Sequence, residues 1–421
     1  MSYEFSDFGR HLGSGSGIED LMDDLGHALA SGGADIKMLG GGQPARIPEM
    51  NAVWARRLEE LIEEAGGLDR AMTSYDPPQG NPRFLEAIAG LFREHFAWEI
   101  GPENIAITPG GQTAFFFLFN LLAGRMPDGT RKKILLPLVP EYIGYSDQGI
   151  DGCVFRAVPP QIEETGPHEY KYRVDFDRLE ITPDIAAICA SRPTNPTGNV
   201  LTDEETARLS ALAKAHNIPL ILDNAYGAPF PGIIFSDAQP FWEPHVILTY
   251  SLSKIGLPGT RTGIVIGPPE VIRALGSMSA IVGLSNPSTG QQIMLPLVES
   301  GEILRLSREV VRPFYEGKCK LAREAAREAF GDDFDWRMHR SEGALFLWFW
   351  FPGLPITTKE LYNRLKKRGV LVIPGEYFFF GLDEQPAWPH RHECIRVSYA
   401  MDEAVVRDGL RIIAEEVKAC R

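Results

Sequence analysis

Lys254 is the residue whose setting first suggests chemistry. It follows an apolar run, Val246, Ile247 and Leu248, that reads as a buried strand. Ser251 and Ser253 stand beside it. Arg261 comes seven residues later, ahead of a second apolar run at Ile264, Val265 and Ile266. Burial and a nearby arginine press a lysine toward its neutral, nucleophilic form. Hydroxyls and a guanidinium bind phosphate, the latter bidentately. An amine that can bond covalently to a carbonyl, beside a seat for phosphate, is what pyridoxal 5′-phosphate requires.

Other residues fit the same chemistry. Asp223 closes the run Ile218–Leu222, where a carboxylate can hold a pyridine nitrogen protonated. Alone, it caps a turn equally well. Tyr226 and Asn195 could reach a phenolic ring oxygen, although Asn195, Pro196, Thr197 and Gly198 also make a turn. Gly110, Gly111 and Gln112 precede a helical stretch, and free N–H groups at a helix start cradle phosphate. Many plain strand–helix turns carry such glycines. Tyr142 could stack on a ring or fill the core, and Arg261 could make a surface ion pair. Arg396 lies in an apolar strand between Ile395 and Val397, where a guanidinium needs an anion. A substrate carboxylate and a structural acid both answer that need.

These side chains must be held by regular elements. From about residue 100 strands and helices alternate. Ile105–Thr108 reads as a strand, Thr113–Leu122 as a buried helix, Ile134–Leu136 and Ile185–Cys189 as strands. Thr202 with Glu205 forms a capping box for a helix reaching about His216, and Ile218–Leu222 and 246–248 are further strands. Such alternation predicts an α/β fold, a mostly parallel sheet with helices on both faces. Gly110, Tyr142, Asn195, Asp223 and Lys254 each fall just past a strand's C-terminal end, where open α/β sheets bind ligands.

The flanks read differently. Residues 1–35 carry one expected helix, about Ile18–Leu29, and look like an arm. Gly40, Gly42 and Ala45 match a dinucleotide fingerprint in form, but Pro44 and Pro48 and the missing strand–helix frame make this a tight turn. Glu49–Ala65 is expected to be helical. After about residue 320 come a helix at 316–329, a strand at Ala344–Phe351, a helix capped by Thr357 and Glu360, a strand at Val370–Ile373, a strand holding Arg396 and a last helix. The expected division is 1–50 as arm and part of a small α+β domain, 51–320 as a large cofactor domain and 321–421 as the rest of the small domain.

Composition bounds the function. The 421 residues hold 42 Lys and Arg against 56 Asp and Glu, a net charge of −14 that disfavours nucleic acid. The longest apolar stretch, Ala114–Leu122, is too short for a bilayer, and the start of the chain shows no signal peptide. Five dispersed cysteines (153, 189, 319, 394, 420) include no Cys-x-x-Cys pair. They imply reduced thiols, a cytoplasmic setting and no metal site. Cys153 and Cys189, in apolar surroundings, are expected in the core.

Taken together and in order, these pieces resemble the class I/II aminotransferases, pyridoxal-phosphate enzymes of the aspartate-aminotransferase fold. The pieces are Tyr75 with Gly80, Gly110–Gln112, Pro140 with Tyr142, Asn195–Gly198, Asp223 with Tyr226, Ser251, Ser253 and Lys254 with Arg261, and Arg396. The resemblance covers nearly the whole chain. It implies a seven-stranded sheet of the fold-type-I kind and a homodimer in which Tyr75 reaches the neighbour's phosphate. Gly42 and Asn195 would help Arg396 hold the substrate α-carboxylate. Asn286–Thr289 would lie near the subunit boundary. Phe5–Arg10 and Leu39–Ala45 resemble the branch that passes the amino group of valine to pyruvate. No second arginine for a side-chain carboxylate is identifiable by motif, which suits a small or apolar substrate side chain. Three rivals have to be weighed. A C–S lyase or decarboxylase would use the same lysine and aspartate. Ser251 with Lys254 fits an acyl-transferase Ser-x-x-Lys, but its Lys-Thr-Gly and Ser-Asp-Asn partners do not occur. An aminotransferase-like regulator would need a DNA-binding head ahead of residue 40 and the opposite charge.

Overall fold

The computed structural model describes residues 3–13, 26, 36–382 and 388–421. The expected helix near 18–29 therefore falls outside the described residues, apart from Gly26. A short helix not read from the sequence occupies Asp7–Leu12, capped by the Ser6 hydroxyl.

The central sheet forms where the sequence is most uniformly apolar. Ile105–Thr108, Ile185–Ser191, Leu220–Asp223 and Val246–Ser251 are buried along their whole length. That is the pattern of strands covered on both faces. The spatial order is Ile105–Thr108, Gly263–Ile266, Val246–Ser251, Leu220–Asp223, Ile185–Ser191, Arg131–Leu136, with Phe155–Ala157 beyond. A two-residue strand, Gly124–Arg125, folds back on Arg131–Leu136 and makes eight strands where seven were expected. Gly263–Ile266 is antiparallel to both its neighbours, and the pairs among Val246–Ser251, Leu220–Asp223, Ile185–Ser191 and Arg131–Leu136 are parallel. The parallel strands thus end at one edge, and the antiparallel strand begins there.

A second, six-stranded sheet contains Arg337–His339, Phe346–Trp350, Ile373–Pro374 and Cys394–Ser398. It also takes in Gln161–Gly166 and Glu169–Arg173, which precede it by more than 160 residues. These two strands were not read from the sequence: Gln161–Gly166 holds a single large apolar residue, Ile162, and the alternation of Tyr170 and Tyr172 spans only five residues. The run read as one strand at 370–373 divides. Val370–Leu371 pairs in parallel with Lys37–Met38, and Ile373–Pro374 joins the second sheet. Cys153 is exposed, not in the core. It follows Gly152, whose φ of +88° turns the chain outward just before the edge strand at Phe155.

One buried ion pair fastens the second sheet to the site-bearing loop. Lys171, on the strand Glu169–Arg173, donates to the Glu342 carboxylate and to Val200 O at 2.9 Å. Glu342 Oε2 also accepts from Val200 N at 3.2 Å. The loop that begins at Asn195 is thereby clamped. Removing one partner of such a pair leaves an uncompensated buried charge. Lys171→Ala is expected to lower unfolding free energy by about 3–5 kcal/mol, measurable by urea denaturation. A loss below about 1 kcal/mol would show that Glu342 finds water or another donor.

Candidate active site

A cavity of about 510 Å³ opens at the edge where the parallel strands end. Its walls include Gly42, Gly111, Gln112, Tyr142, Asn195, Asp223, Tyr226, Ser251, Ser253, Lys254, Arg261 and Arg396. Every site residue read from the sequence is therefore present except Gly110 and Tyr75. Gly110 adjoins the wall as the residue before Gly111. Tyr75 is 83% exposed and lies away from the cavity in a single chain.

Lys254 sits in a single 3-10 turn, Leu252–Ile255, directly after the strand Val246–Ser251. Gly256 follows with a φ of +104°, which lets the chain turn away and leave the amine facing the cavity. The half-buried amine donates to Gly42 O at 2.8 Å and lies 5.3 Å from the centre of the Tyr226 ring. Burial pushes its pKa down to about 8. Arg396 and Arg261 act in the same direction, and Asp223 opposes them.

Asp223 ends its strand as a buried carboxylate. It accepts from Tyr145 Oη at 2.6 Å, from Ala225 N at 2.8 Å and from Thr249 Oγ1 at 3.3 Å. Burial raises its pKa, and these donors hold it back. A protonated ring nitrogen at this spot would give the carboxylate the counter-charge it lacks. Tyr226 is buried against Phe346, and burial raises its phenol pKa.

Arg396 is 5% exposed and meets no carboxylate among the described residues. Nη1 donates to Asn195 Oδ1 at 2.7 Å and Nη2 to Gly40 O at 2.6 Å, and buried Nε has no partner. The guanidinium stacks 4.2 Å from the centre of the Phe346 ring. Burial pulls its pKa down to about 10, as expected of a cation short of counter-charge. The structural ion pair that the sequence left open is absent, and an external anion fits the vacancy in its bonding.

The other end of the cavity is also built for an anion. Gly111 opens a 12-residue helix, so its first N–H groups face outward without partners in the helix. Gly110 has a φ of +86°, and a Cβ there would lie 2.3 Å from Arg261 Nη2. Only glycine lets Arg261 cross that point. Arg261 makes two long contacts to carbonyls, Pro258 O at 3.3 Å and Pro109 O at 3.4 Å, and no carboxylate bond among the described residues. A phosphate would satisfy it. Gln112 is already engaged with Gly144 O at 2.8 Å. The cavity therefore suits a flat ring with a phosphate on one side and a basic nitrogen on the other.

Several contributors were not read from the sequence. Tyr145 and Thr249 hold Asp223, and Ser191, Gln43, Pro44, Ile143 and Phe115 line the cavity. Thr249 and Ser191 are each register partners of Asp223 across the sheet. Their relation is set by strand pairing, and no local spacing reports it. Among the described residues no group of three or more His, Cys, Asp or Glu could hold a metal, and no helix is long and apolar enough to cross a membrane.

Comparison with known proteins adds an independent line. The family model described as aminotransferase class I and II matches residues 50–413. Valine–pyruvate aminotransferase of Escherichia coli is 48% identical over 414 residues, 98% of each chain. The crystal structure of a valine-pyruvate aminotransferase from Salmonella typhimurium superposes with a TM-score of 0.88 at 46% identity, covering 96% of this chain and 99% of that one. An aspartate aminotransferase single mutant from Thermus thermophilus, 24% identical, shares the fold with a TM-score of 0.76 over 99% of this chain and 100% of that one.

The geometry makes a chemical prediction that needs no cofactor. With a pKa of about 8, roughly a tenth of Lys254 is neutral at pH 7, against a few per ten thousand for an ordinary lysine. Graded reductive methylation, read by peptide mass spectrometry, is expected to show Lys254 half-reactive near pH 8. A midpoint above about pH 10, shared with surface lysines, would contradict the depressed pKa.

Proposed function

The chain belongs to the class I and II aminotransferases, and on that premise we propose a pyridoxal-phosphate-dependent transaminase that converts L-valine and pyruvate to 3-methyl-2-oxobutanoate and L-alanine. One observation carries the chemistry: Lys254, Asp223 and Arg396 face a single cavity, and neither of its arginines is paired with an acid. The substrate pair rests on the 48% identity to the E. coli enzyme of that name.

When bound, pyridoxal phosphate supplies an electron sink for the carbanion at the amino acid's Cα. The chain's residues do the rest. Gly110, Gly111, Ser251, Ser253 and Arg261 would hold the phosphate. Asp223 keeps a proton on the ring nitrogen, steadied by Tyr145 and Thr249. Tyr142 packs on the ring face, and Tyr226 and Asn195 hydrogen-bond its phenolic oxygen. Arg396, with Asn195 and Gly42 beside it, grips the substrate α-carboxylate and fixes Cα over Lys254. With the cofactor bound, the Lys254 amine would be placed to take the Cα proton as base and to give it back as acid. Arg396 and Arg261 are the only arginines among the described residues lining the cavity. Within one chain, no further arginine lines the cavity to meet a side-chain carboxylate, in keeping with an apolar substrate.

A homodimer fits the surface. Leu68, Met72, Tyr75, Ile281, Val282 and Leu284 are all more than half exposed. Thr289, five residues past Leu284, bonds to Ala71 O, so these side chains surround one junction. A patch of that kind on a soluble chain calls for a partner, and Tyr75 on it would then reach the neighbour's phosphate. The unbridged state of all five cysteines supports a cytoplasmic setting.

Purified protein loaded with pyridoxal phosphate is expected to be yellow, to bleach with L-valine and to recover with pyruvate. Bleaching by another amino acid and not by valine would remove the substrate pair while keeping transamination. No colour after added cofactor would remove the whole reading. Lys254→Ala is expected to cut alanine formation by roughly 10²–10⁴-fold or more. Near wild-type turnover in that variant would sink its assignment. Sedimentation should give about twice the chain mass of 46.7 kDa, and a monomer at micromolar concentration would contradict the shared site.

A further inference from the structure

Behind the cavity lies a second buried acid with no part in the chemistry above. Glu141 is 1% exposed. Its Oε1 accepts from Ser191 N at 2.9 Å, and its Oε2 accepts from Ser191 Oγ at 2.7 Å and Tyr142 N at 3.0 Å. Its own N–H donates to Phe378 O at 2.9 Å, and Phe378 flanks Arg396. Ser191 Oγ lies 3.5 Å from Tyr145 Oη, and Tyr145 donates to Asp223 at 2.6 Å. A chain of hydroxyls therefore joins two buried carboxyls.

We propose that Glu141 is a positioning residue whose carboxyl, acting through Ser191 and Tyr145, sets how strongly Asp223 holds a proton on the cofactor's ring nitrogen. The inference rests on the transaminase reading for its consequence, and on geometry alone for the coupling. Ionised Glu141 can only accept, so the Ser191 hydroxyl proton points toward it and Tyr145 receives nothing from behind. Protonated Glu141 can donate to Ser191. Ser191 can then turn its proton to Tyr145, which becomes a better donor to Asp223. The charge works in the same sense: a second carboxylate nearby makes Asp223 more basic. Ionised Glu141 therefore strengthens the hold on the ring-nitrogen proton, and protonated Glu141 weakens it.

The changeover falls in the working range. Burial pushes the Glu141 pKa up to about 7, its three donors hold it down, and Asp223 raises it. The other titratable groups facing this cluster are Tyr142, Tyr145 and Cys189, all raised by burial and so neutral throughout, and Lys254, whose amine lowers the Asp223 pKa and whose own pKa is pushed down to about 8 by burial, a step that E141Q shares with wild type. Above about pH 7 the site holds its nitrogen proton more tightly; below it, less so.

Glu141→Gln tests this, since the amide can donate to Ser191 and imitates the protonated state. In protein loaded with ring-¹⁵N pyridoxal phosphate, the wild-type nitrogen resonance is expected to shift near pH 7, and the E141Q resonance to stay put. In cofactor-free full-length protein, infrared difference spectra between about pH 6 and pH 8 are expected to lose a buried carboxylic-acid band that E141Q lacks. The Asp223 carboxylate band, identified with D223N, should move in the same step in wild type and not in E141Q. Identical behaviour of wild type and E141Q, or an Asp223 band that ignores the Glu141 step, overturns the proposal. Ser191→Ala gives a second route if E141Q fails to fold. It should leave the Glu141 band titrating and shrink the Asp223 shift, and an undiminished shift overturns the relay. Failure to bind pyridoxal phosphate would sink the transaminase reading alone, because the infrared result does not need the cofactor.

Discussion

Three cations converge on one sheet edge, and the protein supplies almost no negative charge to meet them. Arg396 is buried among one side-chain amide oxygen, one backbone carbonyl and two phenyl faces. Arg261 reaches only carbonyls, and Lys254 responds by giving up part of its basicity. Asp223 is the one carboxylate on the cavity wall among the described residues. Of the three only Arg396 is fully buried, Lys254 is partly so and Arg261 is exposed; burying an unpaired charge such as Arg396 costs several kcal/mol. The shortage is also what makes the cavity selective. In the proposed function a phosphate and a carboxylate would bring the missing charges, to opposite ends.

The sheet makes this arrangement possible. Parallel strands deliver Gly110, Tyr142, Asn195, Asp223 and Lys254 to one edge from loops far apart in sequence. The antiparallel strand Gly263–Ile266 starts at that edge and so places Arg261 beside Ser251. Arg396 comes from the second sheet, where it is the register partner of Trp348 and Ile373. The loop after Asn195 is held between the two by Glu342 and Lys171. Arg396 and Lys254, proposed for substrate grip and proton transfer, thus come from different sheets and meet across the cavity.

Much of this was legible because chemistry at strand ends leaves short-range marks. A lysine after a core strand, an aspartate closing one and an arginine inside one are each visible in a few residues. Tyr145, Thr249, Ser191 and Glu141 left no such mark. All four matter through strand register or a hydroxyl chain, which link residues 26 to 78 positions apart. The strands at 161–173 were missed because the first holds only Ile162 as a large apolar residue and the second shows its alternating Tyr170 and Tyr172 over only five residues. Cys153 was misplaced because a local apolar context cannot reveal that Gly152 turns the chain outward. Tyr75 stands apart for a different reason, since a single chain holds only half of the site proposed for it.

The account stands or falls on Arg396 as the receptor for a substrate carboxylate. The most direct measurement is calorimetric titration of cofactor-loaded protein with 3-methylbutanoate, which is valine without its amino group. The account predicts saturable binding of the acid, none of the neutral 3-methylbutanamide, and loss of the acid's binding in Arg396→Met with the cofactor still held. Equal binding of acid and amide, or an unchanged affinity in Arg396→Met, would contradict it.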